Sequence, residues 1–285
     1  MKRKKNNMSY MLFLLPSLIG VGILIVIPFG DVVRRSFYNA MANQFVGVEN
    51  YTDVIKNSAF RVAIWNTVRF ALTAIPLLLI ISFLISLLIK SGMSKNKLFK
   101  SFFLLPLAVP TASIVLIWKV MFHNHGILNG ILVQQGIGEK SWMESGMAFI
   151  ILVGFYIWKN IGYHIILWLA ALSSVPTEIY EAAAVDGAGA FTKLVRITIP
   201  CLRTTIGTIL VLAMLNSFKV FREAYLVAGN YPDHSIYLVQ HVFNNWFLNL
   251  SLDKLAAGAV IFGVMIYLFV AFLQKQWSDR GDLAS

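Results

Sequence analysis

Six apolar runs alternate along the chain with more polar stretches. They lie at about residues 10–29, 63–89, 101–121, 147–172, 205–221 and 255–273. A helix of about 20 apolar residues crosses the hydrocarbon of a bilayer. Inside lipid every backbone polar group must bond within its own segment, which leaves helices as the spanning form for runs of this length. The pattern predicts an all-α, polytopic membrane protein with six transmembrane helices. The first run follows four consecutive basic residues, Lys2 to Lys5. A signal peptide also begins this way, but its apolar core is about 7–15 residues long and ends in small residues. This run is longer and passes through Pro16 and Pro28, so it reads as an uncleaved first span. Pro106 and Pro110 in the third run are tolerated where neighbouring helices or water satisfy the freed carbonyls.

The stretch 173–203 breaks the apolar pattern most sharply. Its centre, Glu181 to Pro200, reads EAAAVDGAGAFTKLVRITIP and carries Glu181, Asp186, Lys193 and Arg196. Ser173 or Ser174 is placed to cap a helix that Pro176 starts in its first turn. That helix runs through Ala182, Ala183 and Ala184 and stops at Gly187, which tolerates a left-handed backbone. A second short helix, Ala190 to Thr198, is expected to end at Pro200. The prediction is a helix–turn–helix at a membrane surface, with small residues that let another protein's backbone approach closely.

Composition changes the picture only where charge is concerned. Of 285 residues, 58% are hydrophobic and 13% charged, well below the quarter usual in soluble domains. The net charge of +11 would suggest nucleic acid in a soluble protein. Here it follows topology, because Lys and Arg gather on the cytoplasmic side of membrane proteins. With the N-terminus inside, segments 1–9, 90–101, 173–203 and 274–285 are cytoplasmic and hold 13 Lys and Arg, against 7 in the longer external segments. That bias predicts a multi-pass protein of the cell membrane with both termini cytoplasmic, and no nucleic acid partner. The single cysteine, Cys201, forms no internal disulfide and no metal set.

Polar residues inside spans are costly and so face a cavity or another helix. Lys159, Asn160 and Tyr163 lie near one face of the fourth span, beside Trp158. Asn216, Ser217, Lys219, Arg222 and Glu223 interrupt the fifth, where Lys219 and Glu223 are spaced to pair. Asn66 and Thr67 open the second span. With Trp118 and Phe221 these side chains offer the donors and flat apolar faces of a sugar path, although each alone also fits a role in knitting helices together. The candidate path residues are Asn66, Trp118, Lys159, Asn160, Tyr163, Asn216, Lys219, Phe221, Arg222 and Glu223. His123 and His125 have no further ligands nearby and read as loop histidines. No G-K-[ST] phosphate loop occurs, so the sequence offers no recognisable way to hydrolyse ATP.

The stretch 173–203 resembles the cytoplasmic EAA loop of binding-protein-dependent ABC importer permeases. Glu181, Ala182, Ala183, Asp186, Gly187, Ala188, Ile197 and Pro200 stand at the offsets of that motif, and Leu194 departs from a position where the family often has Phe. Further similarity to the carbohydrate-uptake branch lies in Tyr10, Phe13 and Pro16, in Gly47 to Tyr51, in Asn66-Thr67, in Leu104 to Pro106 with Trp118, in Gly126 with Asn129, and in Phe221 to Gln240. The Asn50-Tyr51 segment and the tail are similar to the first of the two unlike permeases in such systems. The resemblance implies a subunit that forms half of a translocation path for an oligosaccharide or sugar derivative. It implies a second permease subunit, two cytoplasmic ATPase subunits that use ATP and Mg, and an extracytoplasmic sugar-binding protein, with no cofactor held by this chain. The eight motif residues then form a coupling helix that docks on an ATPase. A permease for a polyamine, phosphate ester or amino acid remains an alternative, as does an integral membrane transferase. An ion-driven carrier would be expected to show an internal repeat, and none is found.

Overall fold

The computed structural model describes residues 13–91, 102–103, 105–106 and 109–278, with side chains as far as residue 275. Among these residues the chain is helical, and its only strand-like feature is an isolated bridge between Tyr38 and Phe45. In chain order the helices are α1 (Phe13–Arg35), α2 (Glu49–Lys56), α3 (Ser58–Lys90), α4 (Thr111–Phe122), α5 (Ile127–Gln134) and α6 (Met147–Ser173). Then follow α7 (Thr177–Val185), α8 (190–201), α9 (Arg203–Ser217), α10 (Val220–Ala228), α11 (Val239–Leu248) and α12 (Leu252–Ser278). Five segments are long and apolar enough to cross a membrane: α1, α3, α6, α9 together with α10, and α12. The third expected span lies partly outside the described residues, which show α4 and helical turns at Phe102, Phe103, Leu105 and Pro106.

Helix ends depart from the apolar runs for local reasons. α3 begins at Ser58, earlier than its run, because Asn57 Oδ1 accepts the Phe60 N–H at 2.9 Å and caps the first turn. The fifth run breaks at Phe218 and Lys219, where Gln240 Nε2 donates to the Phe218 carbonyl at 3.3 Å, and resumes as α10 until Gly229 at φ +76°. The last helix continues through Gln274 and Lys275 into the expected polar tail.

Prolines widen helices here instead of ending them. Gly22–Val26 and Leu194–Thr198 are π-turns, closed by Ile27 N–H to Gly22 O and by Ile199 N–H to Leu194 O. Each lies just before a proline, Pro28 or Pro200. A proline has no N–H for the carbonyl four residues back, and its ring crowds that carbonyl; the wider turn relieves both. The expected stop at Pro200 is therefore corrected: α8 continues to Cys201.

The described residues fall into two compact units, one within 13–61 and 242–267, the other within 62–241 and 268–278. In the first, Phe60 stacks on Phe243 and Trp246, and Gly258 meets that aromatic group so closely that a Cβ would lie 2.8 Å from Trp246. Buried Asn50 donates to the carbonyls of Ser36 and Tyr38, and the Tyr51 hydroxyl bonds to Ser36 Oγ at 2.6 Å. Most of α1 is exposed.

The second unit is built round α6. Its core joins Phe70, Leu78, Phe149, Leu152, Tyr156 and Ile165 with Ile236 and Leu238. Polar groups tie the apolar helices where lipid offers no partner. Trp168 Nε1 donates to Ser82 Oγ at 3.0 Å, Ser86 Oγ reaches the Ile165 carbonyl at 3.3 Å, and the Tyr156 hydroxyl donates to the Ala213 carbonyl at 2.8 Å. Asn129 is buried with its amide fully used, by the Asn124 and Lys140 carbonyls, the Lys140 N–H and Trp142 Nε1. Gly126 precedes it where a Cβ would sit 2.3 Å from the Val120 carbonyl oxygen, so no other residue fits without displacing backbone.

Candidate functional site

A cavity of about 520 Å³ opens beside α6, α9 and α10, a size in the range of small-ligand sites. Phe155, Tyr156, Lys159, Asn160 and Tyr163 line it from α6, Leu212, Leu215 and Asn216 from α9, and Lys219, Val220 and Glu223 from the break and the start of α10. Six of the ten expected path residues meet here: Lys159, Asn160, Tyr163, Asn216, Lys219 and Glu223. They converge because residues three and four apart share a helix face: Lys159 and Tyr163 on α6, and Asn216, Lys219 and Glu223 along the end of α9 and the start of α10.

The charges pair differently from the expectation. Lys159 Nζ donates to Glu223 Oε1 and to Thr111 Oγ1 on α4, each at 2.5 Å, while Lys219 Nζ donates to Asn216 Oδ1 at 2.9 Å. The expected pairing of Lys219 with Glu223 is therefore corrected: Lys219 reaches three residues back across the break to Asn216, and Glu223 is taken by Lys159 from α6. Glu223 is almost fully buried, and its Oε2 has no hydrogen-bond partner among the described residues. Thr111 is the contributor that the sequence did not reveal; it opens α4 after Pro110 with nothing in its neighbourhood to link it to Lys159.

The other four expected path residues lie elsewhere. Asn66 is buried, and its amide donates to the His234 and Tyr237 carbonyls at 2.6 and 3.1 Å, a structural tie. Trp118 packs edge-on against Phe155 and lines a small apolar pocket behind Glu223. Phe221 meets the edge of His241, and Arg222 is exposed without lining the cavity. His241 is wholly buried between Phe221 and Tyr237, with Nδ1 accepting the Leu238 N–H at 3.1 Å. Burial pushes its imidazole down to about 4, so the ring is neutral near pH 7.

The stretch between α6 and α9 folds as the expected helix–turn–helix, with different caps. α6 extends to Ser173, so the Ser173 and Ser174 hydroxyls donate back to the Leu169 and Ala171 carbonyls instead of capping α7. Pro176 occupies the cap position. α7 stops in a Schellman turn: Gly187, at φ +76°, donates to the Ala184 carbonyl and Ala188 to that of Ala183. Glu181, Ala182, Asp186 and Gly187 are exposed, Ala183, Ala188 and Ile197 are half-buried, and Pro200 is exposed. Val185 and Phe191 stand out from this surface at 89% and 77% exposure. The underside is anchored. The Tyr180 hydroxyl bonds to Thr198 Oγ1 at 2.9 Å, and Lys90 lies over the Tyr180 ring while Lys90 Nζ bonds to the Leu172 carbonyl at the end of α6.

Residues 82–280 match the family described as binding-protein-dependent transport system inner membrane component. The chain belongs to this family. All cavity-lining residues of this permease, and both helices of the loop 173–203, fall within the matched residues. Among its relatives, the arabinooligosaccharides transport system permease protein AraP of Bacillus subtilis (strain 168) is 28% identical, over 91% of this chain and 84% of the relative. The sulfoquinovosyl glycerol transport system permease protein SmoG of Agrobacterium fabrum is 29% identical, covering 92% and 88%. The sn-glycerol-3-phosphate transport system permease protein UgpA of Salmonella typhimurium is 28% identical, covering 92% of each. The fold matches a chain of a bacterial ABC transporter involved in import of the acidic polysaccharide alginate, with TM-score 0.77 and 21% identity over 95% of this permease and 96% of that chain. The fold is therefore that of an ABC importer permease.

Proposed function

We propose that this permease imports an oligosaccharide or sugar derivative and forms half of its translocation path. The observation that carries the reading is the cavity: amide, hydroxyl and ammonium groups share its walls with Phe155 and Tyr163, which suits a polyhydroxylated solute. Relatives named for arabinooligosaccharides, sulfoquinovosyl glycerol and glycerol phosphate support the class. A solved alginate transporter of this fold is bound to a periplasmic protein carrying an alginate pentasaccharide, which supports an external binding protein as partner.

In this reading six spans cross the membrane, and both termini and the loop 173–203 face the cytoplasm. A second permease completes the path, and two ATPase subunits supply the chemistry with ATP and Mg; this chain holds no cofactor. Closure of the ATPase pair on ATP moves α7, and the Tyr180–Thr198 and Lys90 contacts pass that movement to α3, α6 and α8. Glu181, Ala182, Ala183, Asp186, Gly187, Ala188, Ile197 and Pro200 form the coupling surface. The test is ATP turnover in proteoliposomes that hold this permease with the second permease, ATPase and binding protein encoded beside it. Oligosaccharides or sugar derivatives should stimulate turnover, and spermidine and glutamate should not. Stimulation by either of the latter alone would replace the carbohydrate reading.

A further inference from the structure

The charges around the cavity do not cancel, and the surplus is positive. Its charged lining groups are Lys159 from α6, Lys219 from the break and Glu223 from α10. Lys159 and Glu223 neutralise each other, and Thr111 takes a further Lys159 N–H. Lys219 touches only the neutral Asn216 Oδ1 and makes no ion pair among the described residues. Lys219 is exposed beside the cavity, so its ammonium is open to a counter-charge that a solute brings.

The hydrogen-bonding inventory points the same way. The Tyr156 hydroxyl is spent on the Ala213 carbonyl and the Asn160 amide N–H on the Tyr156 carbonyl. The donors left for a solute are the second Asn160 amide N–H, the third Lys159 N–H, Asn216 Nδ2, the Tyr163 hydroxyl and Lys219 Nζ. Of these only Lys219 carries a charge that no carboxylate neutralises, with Asn216 already in contact with it. The backbone at this point is also held, since Gln240 binds the Phe218 carbonyl beside Lys219.

We propose that the cavity takes a solute with at least one negative group, a carboxylate, phosphate or sulfonate, on a hydroxyl-bearing body, and that Lys219 with Asn216 receives the anion. This rests on the importer reading and narrows its substrate class. Charge-assisted bonds from an ammonium and an adjacent amide suit all three anions. A neutral saccharide would leave the ammonium unanswered.

The test is equilibrium dialysis of the complete transporter in nanodiscs, without binding protein, against three radiolabelled probes: trigalacturonate, glucose 6-phosphate and maltotriose. At least one anionic probe should bind tenfold or more tightly than maltotriose, and added NaCl should weaken it. The two anionic arms separate carboxylate from phosphate. Lys219→Gln should abolish the preference and Lys219→Arg should keep it, while both variants still co-purify with the ATPase. Equal affinity for all probes, no binding of any, or an unchanged preference in Lys219→Gln would overturn the inference. ATP turnover stimulated by a neutral saccharide on its binding protein would then leave the importer reading standing while this one falls.

Discussion

Lys159 and Glu223 show how far single polar residues can be read inside an apolar span. Their presence and helical spacing marked one wall of a cavity from sequence alone, and six of the ten residues so marked do line it. The partner of each charge was not legible, because it depends on a two-residue break in the fifth span and on Thr111 from a distant segment. Asn66 looked the same in sequence, yet its amide is used up on two loop carbonyls. The pair itself makes a clear prediction. Glu223 is buried and Lys159 half-buried, so removing the lysine strands a buried carboxylate, at up to roughly 3 kcal/mol, whereas replacing both by apolar residues is often neutral. Lys159→Met should lower the unfolding temperature of the purified transporter markedly, and Lys159→Met with Glu223→Met should recover most of the loss. Equal melting of both variants would remove the pair as a structural element. His241 gives a second, pH-dependent expectation. Its folded-state pKa is depressed from 6.5 to about 4, so its contribution is complete above pH 6.5 and is lost as pH falls towards 4. At about 1.4 kcal/mol per unit the loss reaches about 3 kcal/mol. His241→Phe, which keeps a ring between Phe221 and Tyr237, should flatten the fall in unfolding temperature across that range.

At the scale of elements, the loop 173–203 was the most legible part of the chain. Alanines, a glycine stop and a proline start specify two short helices by local rules, and the Gly187 turn forms where expected. What the sequence hid was non-local: α6 reaches far enough to claim Ser173 and Ser174, and a π-turn absorbs Pro200. Gly187 separates folding from docking. A Cβ added there would meet nothing within 4 Å, so the cost to the fold is only that of a left-handed backbone, about 1–2 kcal/mol. A large side chain would instead occupy the space an ATPase needs. Gly187→Trp and Glu181→Lys should therefore insert normally but lose co-purification with the ATPase and solute-stimulated ATP turnover. Variants that retain both would show that another surface couples. Lys90 acts from the inner side, since it joins the end of α3 to the end of α6 and to Tyr180. Lys90→Gln should keep the ATPase bound yet uncouple turnover from solute, and Lys90→Arg should restore coupling.

At the scale of the whole molecule, spans and orientation come from different physics. Apolar length found the helices, while the sidedness of the chain rests on where lysine and arginine gather. In a Cys201→Ser background, single cysteines at the exposed positions Asn43 and Gln134 should react with an impermeant thiol reagent in intact cells. A cysteine at Val185 should react only after the membrane is opened. The opposite pattern would invert the protein and place α7 beyond reach of ATP. One further consequence follows from α1, where no side chain of the apolar window is buried. Among the described residues none buries them, so their tolerance to exchange is expected to be set from outside. A saturation scan of 13–27 on the subunit expressed alone should be flat among apolar residues and fall only where charge enters the lipid. Repeated in the assembled transporter, the same scan should acquire intolerant positions. Whatever periodicity separates the two profiles traces the face of α1 that another protein covers.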